Sequence, residues 1–181
     1  MLWLAIVGMA LVFFCITFIY TVLRLQVQWL AIELPKIFWL STLFILLSSY
    51  TLHLSNWSLR TEKFTLHRIM LALTLFLGII FIVFQLLGWQ SLNQDGIRLR
   101  GHPAGSFIYV LSGLHILHVL IGILFIGIVF IRVVQNSHYI DSFVYSVNPP
   151  NQLRMKLITI YWHFVDILWV YLFLFLLFNH S

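Results

Sequence analysis

The sequence predicts an all-α, polytopic membrane protein: a bundle of five transmembrane helices forming a single membrane domain over residues 1–181, N-terminus inside and C-terminus outside. Two observations carry this. Of 181 residues, 62% are hydrophobic and only 8% charged, with a mean hydropathy of +1.02; a soluble domain cannot hide that much apolar surface. The apolar residues also fall into five runs, each near the ~20 residues a spanning helix requires. The runs are Leu2–Leu23, Lys36–Leu54, Ile69–Trp89, Gly105–Ile131 and Met155–Phe178, the last uninterrupted from Leu157.

The first run has no basic segment before it and no small-residue cleavage site after it, so it reads as a span rather than a secretory signal. The second carries Ser41, Thr42, Ser48 and Ser49. Hydroxyls bond backbone carbonyls or a neighbouring helix, so they do not disqualify it. The fourth contains Gly105, Gly113, Gly122 and Gly127, which predicts close helix contacts. The connections hold the polar residues. The longest, Arg132–Lys156, contains Pro149-Pro150 and reads as a surface loop.

Cys15 is the single cysteine, which excludes an internal disulfide and a cysteine metal cluster. The net charge of +5 would suggest nucleic acid in a soluble chain; here the cations lie between apolar runs, where topology and lipid headgroups explain them. Arg60, Lys63, Arg68, Arg132, Arg154 and Lys156 share a side with the N-terminus, against Arg24, Lys36, Arg98 and Arg100 opposite. That bias orients the N-terminus inside.

Ionisable residues within the runs are the candidates for function, because each costs ~2.5–3.5 kcal/mol at bilayer depth even on insertion scales. His163 and Asp166 are three apart on the fifth run and share a helix face. His115 and His118 repeat that spacing on the fourth. His53 and Gln85 lie near run ends, and all six are expected to point into the bundle. Four readings apply. Haem held between two histidines needs both at one depth; counting from the presumed run ends puts His118 ~20 Å and His163 ~9 Å above the boundary, which disfavours it. A metal site built on a histidine pair plus an aspartate meets the same objection. A proton relay suits histidine and aspartate in a membrane, but the first three runs offer it no carboxylate. Interhelical hydrogen bonding remains, with His163 and Asp166 tying the fifth span to the fourth beside Trp162 and Trp169.

These stretches resemble subunit III of the haem–copper respiratory oxidases, in its short five-helix bacterial form. "YWHFVDILWVYLFLFLLF" (Tyr161–Phe178) is similar to that family's final helix, with its Trp-His-Phe-x-Asp-x-x-Trp run. "AGSFIYVLSGLHILHVLIG" (Ala104–Gly122) resembles the preceding helix, with Gly-x-His-x-x-His-Val-x-x-Gly. "LTLFLGIIFIVFQ" (Leu73–Gln85) and "YTLHLS" (Tyr50–Ser55) keep the family's order and spacing.

The resemblance implies an accessory subunit of a proton-pumping terminal oxidase, in a bacterial cytoplasmic membrane. Such a subunit holds no haem, copper or catalytic residue of its own, packs against subunit I beside subunit II, binds ordered phospholipid and supports proton uptake. Haem and copper are then expected in the partner subunits. Arg132, helped by Arg68, is the candidate for a phospholipid headgroup, against simple snorkelling of a topology-setting arginine. The sequence departs from the family's long form in three ways. The first two of seven helices have no counterpart, so a further subunit could replace them. Ala10 stands where a glutamate precedes a Phe pair, and Gly88 where a glutamate follows the glutamine. The equivalent subunit of a quinol oxidase is the nearest rival; a free-standing membrane cytochrome b or a small transporter is the rival of another class.

Overall fold

The computed structural model describes residues 1–26, 32, 34–99, 102–135 and 139–180, the side chains of Asp141 and His180 excepted. Arg100 and parts of three connections lie outside them. The described residues form six helices: α1 (Leu2–Gln26), α2 (Ile37–Arg60), α3 (Phe64–Gln94), α4 (Pro103–Gln135), α5 (Tyr139–Val147) and α6 (Pro149–His180). All but α5 are long and apolar enough to cross a membrane, so the predicted all-α class with five membrane-spanning helices holds.

The helices outrun the apolar runs at several ends: α2 continues six residues past Leu54, α3 five past Trp89 and α4 four past Ile131. α3 starts at Phe64, five residues before the apolar run. The stretch 139–147 forms α5, and α6 starts at Pro149, eight residues before its run at Leu157; the connection 132–156 is therefore largely helical. Proline suits a first helical turn because its missing N–H has no intrahelical acceptor there, and the Asn148 carbonyl takes the N–H groups of Asn151 and Gln152 at 3.0 and 3.2 Å. The polarity of this stretch marks the exit from hydrocarbon and not the end of the helix.

α2 and α3 form an antiparallel hairpin joined by three residues. Its turn closes α2 with paired backbone bonds, Lys63 N–H to Ser58 O at 2.9 Å and Glu62 N–H to Leu59 O at 3.4 Å. Glu62 takes φ +57°, the left-handed position glycine usually fills at such a cap. α3 ends the same way with Gly96 at φ +79°.

α6 occupies the centre, against α2, α3 and α4, with Trp162 and Trp169 the largest fully buried side chains. Trp162 fits because two neighbours lack a side chain. A Cβ on Gly78 of α3 would sit 2.9 Å from its ring, and one on Gly122 of α4 would sit 2.8 Å away. Trp169 lies edge-on to Phe81 of α3 and Phe38 of α2, with ring centroids 5.2 and 6.2 Å away. α1 runs parallel to α6 at the periphery. Thr17 Oγ1 is 2.9 Å from the Tyr171 hydroxyl, and Arg24 donates to the Asn179 side-chain oxygen. Among the cations, Arg60, Lys63, Arg68, Arg132, Arg154 and Lys156 gather at the end where α2 turns into α3 and α6 begins. We call this the basic end.

Candidate functional site

The polar groups of α2 pair along two seams, with α3 through Ser41 to Gln85, Thr51 to Thr74 and Ser55 to His67 and with α6. α2 and α6 are antiparallel, so a serine and threonine series descending one meets an aromatic and polar series climbing the other. Trp169 Nε1 donates to Thr42 Oγ1 at 3.0 Å, Trp162 Nε1 to Ser48 Oγ at 3.1 Å, and Asn56 Nδ2 to Thr159 Oγ1 at 2.7 Å. His163 Nδ1 lies 2.6 Å from Ser49 Oγ. The hydroxyls stay satisfied along α2 by bonding back to its carbonyls, Thr42 to Phe38 O at 2.7 Å and Ser48 to Ile45 O at 2.6 Å. They serve helix and neighbour at once, which explains how a stretch rich in hydroxyls crosses the membrane.

His163 therefore ties α6 to α2, where the sequence reading placed the tie between the fifth and fourth spans. What joins α6 to α4 is the Tyr161 hydroxyl, donating to the His118 carbonyl at 3.0 Å. The aspartate of the motif does not share the tie. Asp166 is 2% exposed. Ser49 lies beside its carboxyl but falls short of hydrogen-bond geometry, and neither carboxyl oxygen has a hydrogen-bond partner among the described residues. His53 is exposed, not turned into the bundle, and it stands within electrostatic reach of the half-buried His163. The cause lies in the α2 wheel: His53 sits four positions beyond Ser49 and so on the outer lip of the seam.

The histidines of α4 take separate courses. His115 is fully buried with its ring 5.0 Å from Trp169 and 5.6 Å from Phe81, and neither ring nitrogen has a partner among the described residues. His118 bonds its own helix, Nδ1 to the Leu114 carbonyl at 2.7 Å, with its ring 5.8 Å from Phe13 of α1. Gln85 is buried and donates to Ser41 Oγ at 2.9 Å.

The depth reckoning from run ends also needs correction. His115 meets Trp169, and Gly122 meets Trp162. In antiparallel register His118 then stands level with Asp166, and only three residues, ~4.5 Å, from the level of His163. The expected gap of roughly 10 Å came from starting α6 eight residues late. Even so, no three histidine, cysteine or acidic side chains converge as a metal-binding group among the described residues.

At the basic end, Arg68 donates to Ser142 Oγ of α5 at 2.6 Å. Arg132, exposed at the end of α4, and Arg154 both act on the Tyr145 phenol of α5. Burial pushes that phenol above its usual range, and the two guanidinium charges oppose the push. On the rim, the Glu62 carboxylate raises the Tyr139 phenol, which donates to it at 3.3 Å. The two arginines singled out from the sequence thus bracket one short helix. Its side chains Ile140, Val144 and Val147 are exposed, as suits an element lying at a membrane surface. α5 had no apolar run long enough to announce it; the signal available was the alternation of Tyr, Ile, Phe and Val with Asp and Ser over 139–147.

The sequence is similar to known proteins over most of its length. The family model described as cytochrome c oxidase subunit III matches residues 4–181. A probable quinol oxidase subunit 3 of Staphylococcus saprophyticus is 29% identical over 141 residues, covering 78% of this chain and 65% of the relative. The protein of the same name from Staphylococcus aureus is 28% identical over the same shares, and that from Staphylococcus epidermidis is 27% identical over 73% of this chain and 61% of its own length. The chain thus spans less than two thirds of the length of these relatives.

Proposed function

This chain belongs to the cytochrome c oxidase subunit III family, and we propose that it is the accessory membrane subunit of a proton-pumping terminal oxidase in a bacterial cytoplasmic membrane. In this reading it packs on the large haem–copper subunit beside subunit II and leaves oxygen reduction to them. It keeps no haem, copper or catalytic residue. The observation that supports this best is the use of the motif histidines. His163 is spent on Ser49, His118 on its own helix and His115 on packing against Trp169. A ligand pair would need two of them aimed at a common point.

The test is deletion of the chain from the assembled oxidase. The haem content per large subunit should stay intact while sustained turnover and stability fall. Loss of one haem per complex with an intact large subunit would overturn the reading.

A quinol as electron donor is favoured over cytochrome c by the names of the relatives, each a probable quinol oxidase subunit 3. Oxidation of quinol, but not of reduced cytochrome c, by the purified complex would decide for it.

Arg132 is the group offered to a phospholipid headgroup, with α5 and Arg68 forming the shelf beneath. A cation at the end of a long apolar helix suits an anionic phosphate. Lipid analysis of an Arg132→Ala complex checks this: loss of about one retained phospholipid is expected, and an unchanged complement would leave only snorkelling.

A further inference from the structure

Asp166 is a buried carboxyl, 2% exposed, without a hydrogen-bond partner for either oxygen among the described residues. Such a group forfeits free energy that its surroundings do not return, so its presence calls for a reason. A structural acceptor would be occupied, and among the described residues neither oxygen of this one has a partner in hydrogen-bond geometry. What lies next to it is a file of proton-bearing groups leading outward. Ser49 is beside the carboxyl, Ser49 Oγ is 2.6 Å from His163 Nδ1, and His163 stands within electrostatic reach of the exposed His53. His53 is seven residues before Arg60, the end of α2, so it lies ~10 Å inside the basic end.

Among the described residues, the titratable groups on the other elements packed around Asp166 are engaged elsewhere or lie further along the bundle. On α4, His118 is held by the Leu114 carbonyl and His115 is enclosed by Phe81 and Trp169. On α3 the nearest histidine, His67, is bound to Ser55 toward the basic end at 2.8 Å. α1 brings Cys15, which is exposed, and Tyr20. The cations Arg154 and Lys156 of α6 are about three turns below.

We propose that Asp166 is a proton-exchange site, served from the basic end through His53, His163 and Ser49. Asp166 passes its proton to Ser49 Oγ as Ser49 passes its own to Nδ1 of His163. The other ring nitrogen of His163 releases a proton toward His53 and the solution, and the reverse sequence restores the carboxyl. Only O–H and N–H bonds change, and nothing is oxidised or reduced. The track ends at Asp166. It loads and unloads one proton and does not cross the membrane. The inference concerns this chain's own residues and holds for either electron donor.

The experiment is infrared spectroscopy of the intact oxidase transferred to deuterated water. The carboxylic C=O band assigned by its loss in Asp166→Asn should shift rapidly in the native complex. Ser49→Ala should slow that shift about 100-fold, the order a positioned proton-transfer group contributes. Ser49→Thr, which keeps the hydroxyl, should restore the native rate. A purely structural Ser49 would not separate alanine from threonine in this readout. Absence of a band assignable to Asp166, or the same exchange rate in Ser49→Ala as in the native complex, would overturn the proposal.

Discussion

Toward α2, α6 presents two indole N–H groups and a histidine, and each meets a hydroxyl. Toward α1 the same helix presents Leu168 and Tyr171, and a groove of about 520 Å³ opens there, lined by Ile6, Val7, Ala10, Leu11, Phe13 and Phe14. Along α1 the described hydrogen bonds to α6 are Thr17 to Tyr171 and Arg24 to Asn179. Lipid tails are as apolar as leucine, so apolar contact alone gives two helices little reason to prefer each other. The hydroxyl-lined flank has one register that satisfies its donors; the apolar flank could slide. In this bundle polar pairs therefore set the arrangement, while close packing around aromatic rings supplies most of the holding energy.

Removing the ring that both flanks rely on should do the most damage. Trp162→Ala empties the space between Gly78 and Gly122 and removes the donor to Ser48 Oγ. Large-to-small changes of this kind cost ~3–5 kcal/mol in cores. Assembled complex should be nearly lost, as read by subunit yield in mild detergent. Assembly close to native would mean that packing does not hold α3, α4 and α6 together.

A smaller loss is expected from adding one methyl at Gly88. Its Cβ would fall 2.1 Å from the Phe38 ring, and Phe38 is itself fully buried. Overpacking of that order costs ~1–3 kcal/mol. Gly88→Ala should lower the thermal midpoint of the purified complex, and Phe38→Leu should recover part of the loss in the double variant. If the two losses simply add, the clash is relieved elsewhere. The same geometry leaves no space for a glutamate at position 88, because Phe38 fills it.

The five spans were legible because apolar runs report hydrocarbon thickness directly. α5 and the first turns of α6 were not, since polarity signals where lipid ends and says little about where a helix ends; Pro149-Pro150 looked like a break and is a start. That single error moved His163 by two turns and separated it from the level of His118. Ser49 was visible only as a serine in an apolar run, because a partner 114 residues away leaves no local pattern. His53 is a lone histidine whose side of the helix depends on where α6 lies. The glycines were legible in part: Gly122 receives Trp162 as close contact predicts, whereas Gly127 has nothing within 4 Å of its Cβ position.

The hydroxyl ladder itself should yield a modest effect when one rung is cut. Trp169→Phe keeps an aromatic ring against His115 and Phe81 but removes the donor to Thr42 Oγ1. Thr42 still bonds the Phe38 carbonyl, so nothing is stranded. The smaller ring also leaves a cavity, so a double-mutant cycle with Thr42→Val, read in the thermal midpoint, isolates the hydrogen-bond part of the loss. That part should be ~0.6 kcal/mol, the mean for an interhelical hydrogen bond in a membrane. A loss several times larger would mean that the rungs act cooperatively.

The smallest effect on assembly is expected at the least ordinary residue. Asp166 shares a face with His163, and as a structural acceptor its loss would leave a donor unsatisfied at ~1–3 kcal/mol. The geometry argues otherwise. His163 is held by Ser49, and Asp166 accepts nothing among the described residues, so Asp166→Leu removes a burden and strands no one. Replacing an unpartnered buried polar group by an apolar one of similar size is neutral to stabilising. Asp166→Leu and Asp166→Asn should therefore both assemble at native yield, with leucine no worse than asparagine. If leucine fails while asparagine assembles, the carboxyl has a structural partner and belongs with the rungs of the ladder. If both assemble and both lose proton exchange from the basic end, the seam holds two kinds of polar residue. One kind fixes the helices in register; Asp166 is the other, and its cost to stability is met by the titration it performs.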